Sequence, residues 1–292
     1  MARGLAAVLA PDALTVVVNV GDDAEIYGVS VAADLDTVTY TLAGVEGPDG
    51  WGRRGDTFET MAALADLGVD TAFRLGDTDL ATCLARTIAL RNGDSLSSFT
   101  AGLGPALGVR HRVLPVTDDT LRTRIRVADG TWLDFQDYFV LRGHRDTVLE
   151  LRYDGAETAT PAPGVFEAVA TADVVVIAPS NPPLSIWPIL AVPGLREVVE
   201  DHHTVIAVSP LIGGRALRGP ADRIMATLGL PEGNEGVLAA YQGLLSHLVV
   251  DRSDVADVER LGGPVEVVAT DTRITEPDDA RRLAVEILGL AI

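Results

Sequence analysis

The sequence contains no lysine. All 23 basic residues are arginines, and against 42 acidic residues they leave a formal net charge of −19 over 292 residues. Without lysine the chain cannot form a Schiff base, supply the phosphate-binding lysine of a P-loop or act as a Ser-Lys hydrolase. Non-specific binding to nucleic acid or anionic membranes needs a basic face, so we expect no nucleic-acid and no membrane partner. Such an acidic surface keeps a protein dissolved in concentrated salt, which favours the hypothesis of a halophilic or high-GC source.

Cysteine and long apolar runs are also scarce. The single cysteine, Cys83, excludes an internal disulfide and a cysteine-rich metal site, and it favours a reducing, cytoplasmic location. The longest apolar runs, such as Val174–Ala178, are too short to span a bilayer. The rest of the composition, with 47% apolar and 22% charged residues, is ordinary for a globular protein. The length allows one large domain or two modest ones.

Strand-like and helix-like segments alternate along most of the chain. Short β-branched runs predict buried strands at 14–19, 173–178, 204–209, 248–251 and 265–269. Helical patterns lie between them at 57–67, 80–90 and 277–288. This order predicts an α/β fold with a Rossmann-like, mostly parallel sheet. Residues 112–153 instead alternate in polarity around the turn Asp129-Gly130, which predicts a small antiparallel insertion. We therefore expect an N-terminal part of the α/β core at 1–110, the insertion at 111–157 and a C-terminal part at 158–292.

Acidic residues follow two of the apolar segments near the N-terminus. Asn19 and Asp22 come directly after the first predicted strand, and Asp34 and Asp36 follow another short apolar stretch. Ligands of a parallel α/β sheet bind beyond the carboxyl ends of its strands. Alternate carboxylates of an extended segment project to one side, which suits a hard cation such as Mg²⁺. Either cluster alone is more typical of a structural turn than of a functional site.

Further polar loops precede or follow other predicted elements. Asp77, Thr78 or Asp79 can cap the helix at 80–90, which is a structural explanation for that cluster. A rigid loop between prolines is predicted to present three polar side chains: Ser180, Asn181 and Ser185.

Two glycines, Gly213 and Gly214, follow the predicted strand at 204–209. We interpret this segment as a strand-to-helix loop, whose backbone amides could approach an anion. Arg215 and Arg218 would be its cationic donors, since the chain has no lysine. An ordinary loop with solvated arginines explains the same residues equally well.

The order of these motifs closely resembles the 2-phospho-L-lactate transferase family of coenzyme F420 biosynthesis. The resemblance extends from Leu5 to about Ala269 and rests on several segments: Val-Val-Val-Asn-Val-Gly-Asp-Asp from Val16, Asp-Leu-Asp-Thr from Asp34, Trp51-Gly52, Leu-Gly-Asp-Thr-Asp-Leu-Ala-Thr from Leu75, Phe-Gln-Asp-Tyr-Phe from Phe135, Pro-Ser-Asn-Pro from Pro179 and Val-Ser-Pro-Leu-Ile-Gly-Gly from Val208. It implies transfer of a phospholactyl or phosphoenolpyruvyl group from a guanosine diphosphate-linked donor to a hydroxyl of the deazariboflavin Fo. GMP would be released, Mg²⁺ would assist, and the enzyme would be a homodimer.

The resemblance also implies roles for individual residues. Asp36 is the first candidate for a catalytic residue and for a metal or deazaflavin contact, with Asp34 as the second metal ligand and catalytic carboxylate. Eight other residues are expected to line the substrate site: Asn19, Asp22, Thr78, Ser180, Asn181, Ser185 and, facing phosphate, Gly213 and Gly214. Arg215 would bind substrate as well.

Three departures from the family pattern affect these expectations. The family usually begins with a strand and a glycine-rich loop, whereas this chain matches the pattern only from the following helix, so we expect a misassigned start codon or a truncated sequence. Thr78 stands where the family commonly has a basic residue, and Cys83 where it commonly has histidine. Two alternatives to the transferase therefore stay open: a non-catalytic nucleotide-sugar-binding regulator of related fold, and an inactive paralogue.

Overall fold

Strands and helices alternate through the computed structural model, which describes residues 1–48, 50–217 and 219–291. The strands are β1 (Thr15–Val18), β2 (Ala24–Ile26), β3 (Val29–Val31), β4 (Arg112–Pro115), β5 (Arg122–Val127), β6 (Trp132–Asp134), β7 (Val148–Asp154), β8 (Val175–Ile177), β9 (Val205–Val208), β10 (Leu211–Ile212), β11 (Arg215–Ala216), β12 (His247–Asp251) and β13 (Glu266–Thr270). The helices are α1 (Ala2–Ala6), α2 (Ala33–Ala43), α3 (Glu59–Asp66), α4 (Asp77–Arg91), α5 (Leu96–Ala106), α6 (Val165–Ala170), α7 (Trp187–Leu190), α8 (Leu195–Glu200), α9 (Ala221–Thr227), α10 (Asn234–Ala240), α11 (Ala256–Arg260) and α12 (Pro277–Gly289). Two π-helical turns span Asp137–Leu141 and Pro182–Ile186.

A four-stranded parallel sheet forms the C-terminal half of the core, in the order β13-β12-β9-β8. All four strands coincide closely with predicted segments, and every residue of β9 is buried. Strands that are covered on both faces read as continuous β-branched runs, which explains why the sequence pattern located them. Helix α12 covers one face of the sheet, since Leu283 and Ile287 pack with residues of β9 and β12. The predicted α/β fold with parallel strands is confirmed.

The N-terminal half contributes a second parallel pair, β1 and β4. Val113 and Leu114 of β4 are buried in one apolar cluster with Val18 of β1 and Leu35 of α2. Because β4 pairs in parallel with β1, it belongs to the α/β part, and the insertion that we expected from residue 111 begins only with β5. Four residues are too few for sequence periodicity to separate a buried parallel strand from an antiparallel one.

The predicted antiparallel insertion is a three-stranded sheet in the order β6-β5-β7. The turn Asp129-Gly130 joins β5 to β6, with Gly130 at φ 87° and the Asp129 carboxylate accepting the Thr131 N–H at 2.8 Å. The inward residues of β5 are buried, and two of its outward arginines, Arg124 and Arg126, pair with acids of the neighbouring strands. This alternation is the signal that the sequence pattern detected.

Two local predictions near the N-terminus were wrong. Asp34 and Asp36 lie in the first turn of helix α2, whereas we expected an extended segment. A four-residue motif is shorter than two helical turns, so its alternation resembles that of a strand. The expected capping of α4 by its own first residues is also wrong, because the carboxylate of Asp56 accepts the N–H groups of Thr78 and Asp79 at 2.8 and 3.0 Å.

Asp56, which lies just before α3, caps α4, and Asp77, the first residue of α4, caps α3. The carboxylate of Asp77, at the start of α4, accepts the backbone N–H groups of Glu59 and Thr60 in the first turn of α3, both at 3.0 Å. Gly76 permits this packing, since a Cβ there would lie 2.2 Å from Oδ2 of Asp56. These hydrogen bonds therefore hold α3 and α4 together. The sequence motif located the capping side chains only approximately. Among the described residues, no helix is long and apolar enough to cross a membrane.

Candidate active site

Five aspartates gather beyond the carboxyl end of β1, and we call them the acidic cluster: Asp22, Asp23, Asp34, Asp36 and Asp79. Asn19 begins the loop that follows β1 and is 3% exposed. Its Oδ1 accepts the Gly21 N–H at 2.8 Å, and its Nδ2 donates to Oδ2 of Asp34 at 3.1 Å. The structure therefore brings together Asn19, Asp22, Asp34 and Asp36, which the sequence proposed from two separate motifs.

Burial makes this cluster electrostatically unfavourable for its own charges. Desolvation raises the pKa of Asp22 and of Asp23 well above the usual range, and the neighbouring carboxylate of Asp34 adds to both shifts. Desolvation also raises the pKa of Asp34 and of Asp36 to about 6. Such shifts are typical of functional sites, where groups are held for their chemistry at the cost of stability.

Arg86 supplies a buried positive charge next to the cluster, and sequence reasoning missed it. The side chain is 1% exposed, forms an ion pair with Asp36 and donates from Nη1 to the Ser30 carbonyl at 2.9 Å. Its guanidinium carbon also lies 5.3 Å from the centre of the Phe99 ring. The sequence signal was an arginine among the buried positions of α4, beside Cys83 and Thr87. A charge at such a position requires a buried partner.

Asp79 and Cys83 extend the site on the α4 side. The carboxylates of Asp36 and Asp79 and the Cys83 sulfur each offer an atom, and these three atoms lie within 4.8 Å of one another. The Tyr40 hydroxyl donates to Oδ1 of Asp79 at 2.9 Å. Burial raises the pKa of the Cys83 thiol to about 12, so this sulfur stays protonated at neutral pH. Thr78 and Cys83 are the two residues that depart from the family pattern. Cys83 is buried beside the cluster, whereas Thr78, one residue before Asp79, is exposed.

The oxygen atoms of the cluster fit a divalent cation. Among the described residues, Oδ1 of Asp22 and Oδ1 of Asp23 are buried without a hydrogen-bond partner. Unpaired buried carboxylate oxygens are costly, and hard cations such as Mg²⁺ prefer such ligands. Arg86 and Arg122 partly offset the rise in the pKa of Asp23, and Arg86 and Arg53 that of Asp79, but three arginines cannot balance five carboxylates. Asp34 and Asp36, the metal ligands that the resemblance implied, belong to the same group.

The polar loop after β8 adjoins the cluster through a tyrosine. The Tyr153 hydroxyl donates to the Pro183 carbonyl at 2.5 Å, and its pKa is raised by burial and by the Asp22 carboxylate. In the loop, Oδ1 of Asn181 accepts the Leu184 N–H at 3.3 Å, while its Nδ2 is buried without a partner among the described residues. Ser180 and Ser185 flank Asn181 and are partly buried. The second part of the loop that the sequence predicted, Pro182–Ile186, is a π-helical turn with Asn181 as its N-cap, and such turns are often found at functional sites.

The glycine pair lies in a different kind of structure from the expected strand-to-helix loop. Gly213 and Gly214, at φ 61° and 72°, form the two-residue turn of the β10–β11 hairpin. The Gly213 N–H donates to Oγ of Ser253 and to the Asp254 carboxylate, both at 2.9 Å. The Gly213 amide, which was expected to face phosphate, thus binds a carboxylate of the protein itself. Arg215 is exposed at the start of β11, and Arg218 lies outside the described residues.

The fold and the site define an α/β protein with an acidic site at the carboxyl end of a parallel strand. The model of the family described as 2-phospho-L-lactate transferase CofD matches residues 1–285. A phosphoenolpyruvate transferase from Kitasatospora aureofaciens is 42% identical, over 99% of this chain and 93% of the relative. A 2-phospho-L-lactate transferase from Methanosarcina acetivorans is 37% identical, over 98% of this chain and 94% of the relative. The chain belongs to the 2-phospho-L-lactate transferase CofD family and is a transferase.

Solved structures share the same fold at much lower sequence identity. Two crystal structures of BH3568 from Bacillus halodurans, a protein described as a member of the UPF0052 family, match with TM-scores of 0.62 and 0.64. Both are 16% identical to this chain and cover 98% of it and 94% of their own length. At that identity the match shows a common fold only.

Proposed function

We propose that this transferase moves a phospholactyl or phosphoenolpyruvyl group from a guanosine diphosphate-linked donor to a hydroxyl of the deazariboflavin Fo, releasing GMP, in coenzyme F420 biosynthesis. The curated relatives include enzymes named for each of the two acids. The observation that carries the proposal is the acidic cluster at the end of β1, whose buried oxygens exceed the positive charge beside them. Such a site suits a cation that in turn binds a pyrophosphate. Without that cation, a chain that has no lysine must hold the pyrophosphate with arginines and backbone amides alone.

The reaction exchanges one phosphorus–oxygen bond for another. The acceptor hydroxyl forms a bond to the phosphorus that carries the three-carbon acid, and the bond from that phosphorus to the GMP moiety breaks. GMP leaves with the bridging oxygen. The hydroxyl loses its proton to a carboxylate of the acidic cluster, for which Asp34 and Asp36 are the candidates. Most of the catalysis would come from holding the two substrates in line and from charge complementarity.

Binding roles are assigned to the same two carboxylates and to the residues around them. Asp34 and Asp36, with Asp22 beside them, would hold Mg²⁺, which when bound neutralises charge on the pyrophosphate. Polar side chains near the cluster would contact the substrates: Asn19, Asp22, Thr78, Ser180, Asn181 and Ser185. At the hairpin turn, a phosphate could bind Gly213 and Gly214 only by displacing the Asp254 carboxylate, whereas Arg215 is exposed and can reach a ligand directly.

A direct assay tests this function. The protein is incubated with Fo, Mg²⁺ and either guanylylated phospholactate or guanylylated phosphoenolpyruvate, and GMP and the phosphorylated deazaflavin are quantified. We expect stoichiometric formation of both products with at least one donor, and none with Asp34→Asn. Binding of a donor without turnover would support the regulator. Neither binding nor turnover with either donor would support the inactive paralogue.

We further propose that the enzyme is a homodimer, as the resemblance implies, and that it acts in the cytoplasm, which the single buried cysteine favours. Sedimentation equilibrium at micromolar concentration tests the first statement, and a mass equal to one 30.7 kDa chain would contradict it.

A further inference from the structure

Four aromatic side chains form a partly exposed surface beside the acidic cluster, and we call it the aromatic platform: Trp51, which is exposed, and Phe135, Phe139 and His144, which are partly buried. The rings of Phe135 and Phe139 are stacked, with centroids 5.2 Å apart and an interplanar angle of 11°. The Trp51 ring meets Phe139 edge to face at 6.4 Å, and the His144 ring lies 5.0 Å from Phe139. Trp51 is 57% exposed, so a large flat side chain faces solvent.

The backbone holds this platform in an unusual conformation. Phe139 lies within the π-helical turn Asp137–Leu141. His144 has φ 47°, and its N–H donates to the Tyr138 carbonyl at 2.8 Å. Arg223 of α9 donates to the His144 carbonyl at 3.1 Å. Strained residues and π-helical turns persist where the surrounding structure enforces them, and both are concentrated at functional sites.

Two contacts place the platform at the edge of the acidic cluster. Gln136, between the two stacked phenylalanines, is 5% exposed and donates from Nε2 to the Asp22 carbonyl at 2.7 Å. Gly52, next to Trp51, lies against Asp79, since a Cβ at this glycine would be 3.8 Å from the Asp79 Oδ2. The platform is therefore connected to the cluster through both of the segments that build it.

We propose that the aromatic platform stacks the flat tricyclic ring of the acceptor, while the acceptor's hydroxyl-bearing chain extends to the acidic cluster. This inference rests on the proposed function for the identity of the acceptor. Val140 and Leu141, both exposed beside the platform, add aliphatic surface. Ring stacking with aliphatic contacts suits a large, weakly polar ring system. Recognition of a guanine base depends instead on hydrogen bonds to the base edges, so the donor base is the less suitable occupant.

Calorimetric titration of the full-length protein with Fo, without donor, tests the proposal. Stacking on one aromatic side chain contributes about 1–3 kcal/mol, so Trp51→Ala and Phe139→Ala should each weaken Fo binding by about 5- to 150-fold. Trp51→Phe should restore most of the affinity. Trp132→Phe is the matched control, because the Trp132 ring packs with Arg126 and Arg152 and, among the described residues, stacks on no ring of the platform, so this variant should leave Fo binding unchanged. Circular dichroism and the melting temperature establish that each variant is folded.

The outcomes separate this inference from the proposed function. Unchanged Fo affinity in both folded alanine variants, or no binding of Fo to the wild-type protein, overturns the platform assignment. Weaker GDP binding with intact Fo binding overturns it as well, because the guanine base would then be the occupant. Weakened Fo binding in the variants, together with a wild-type protein that binds Fo but transfers nothing, would support the platform and contradict the transfer reaction.

Discussion

Asp36 has a structural role as well as its proposed catalytic one. It is 5% exposed and forms the buried ion pair with Arg86. Removing one partner of a buried pair leaves an uncompensated charge, so we expect Asp36→Ala to lower the free energy of unfolding by about 3–5 kcal/mol. In the double variant Asp36→Asn/Arg86→Met neither charge remains, and most of that loss should be recovered. Urea denaturation of the variants measures both effects.

A single variant and a double variant that are equally destabilised would contradict this pairing. The same reasoning limits what activity measurements on Asp36 can show, since an inactive Asp36→Ala protein could simply be misfolded. Asp34 is only partly buried and its recorded partner is the neutral amide of Asn19. Asp34→Asn is therefore the more informative catalytic variant.

The acidic cluster also predicts how stability changes with pH. Desolvation raises the pKa of Asp34 to about 6 in the folded protein, against 3.8 for an exposed aspartate. Between these values the folded state binds more protons than the unfolded state, so the free energy of unfolding falls as pH rises. The contribution is fully present below about pH 4 and is lost above about pH 6. Without Mg²⁺, the fall between pH 4 and 7 should be smaller in Asp34→Asn by about 1–3 kcal/mol.

Carboxylates with lowered pKa values, such as Asp279, have the opposite pH dependence, but wild type and variant share them. The difference between the two urea-denaturation series therefore reports Asp34 together with its effect on the pKa values of Asp22 and Asp23. Millimolar Mg²⁺ should stabilise the wild-type protein at pH 7 more than Asp34→Asn, because a ligand of the folded state raises the free energy of unfolding. Identical pH and Mg²⁺ dependence in the two proteins would exclude Asp34 from the cluster.

At the residue scale, the sequence located the carboxylates but missed most of their partners. Asp34 and Asp36 stand out because two acids interrupt an apolar region. Arg86 comes 50 positions after Asp36, and only the folded chain, in which α4 packs against β3 and both α2 and α4 pack against α5, reveals that the two side chains meet. The backbone carbonyl of Ser30 that Arg86 binds leaves no trace in a sequence pattern. Burial of a charge depends on tertiary contacts, which no local motif encodes.

At the scale of elements, helices α3 and α4 are held by exchanged caps, and only α4 carries site residues. Asp56→Ala removes the acceptor from the first turn of α4, and Asp77→Ala removes it from α3. Each should lower the melting temperature by about 2–4 °C, but only Asp56→Ala should also reduce turnover, because Asp79 follows Thr78 in the released turn. Thermal melts and the GMP-release assay measure the two effects.

Asp66→Ala is a matched control for these caps, since it removes an exposed acid from α3 without removing a cap. If Asp66→Ala lowered the melting temperature as much as the other two variants, charge rather than capping would be responsible. The pattern Leu-Gly-Asp-Thr-Asp placed the start of α4 three residues late, at 80 instead of 77, and its cap was wrongly expected from Asp77, Thr78 or Asp79. The acceptor comes from residue 56, and its approach depends on the missing side chain of Gly76.

At the scale of the whole molecule, the sequence predicted the class of fold and the strands of its main sheet, because continuous β-branched runs are unambiguous when both faces are covered. It did not predict that β4 would pair with β1, nor the order β13-β12-β9-β8. It also did not predict the aromatic platform, although it singled out Trp51 and the Phe135–Phe139 motif. These segments lie 84 positions apart, and only the folded chain brings Trp51 against Phe139.

The net charge of −19 leads to a prediction for the entire chain. Mutual repulsion of exposed carboxylates opposes folding, and salt shortens its range from about 10 Å at 0.1 M to about 3 Å at 1 M. Raising KCl from 0.1 to 1 M should therefore increase the melting temperature by about 2–8 °C. A triple variant with exposed acids made neutral, Glu157→Gln/Glu232→Gln/Glu259→Gln, should melt higher at 0.1 M KCl and gain less from added salt. A triple variant with the same response to KCl as the wild-type protein would show that salt acts through burial of apolar surface instead, because that contribution does not depend on net charge.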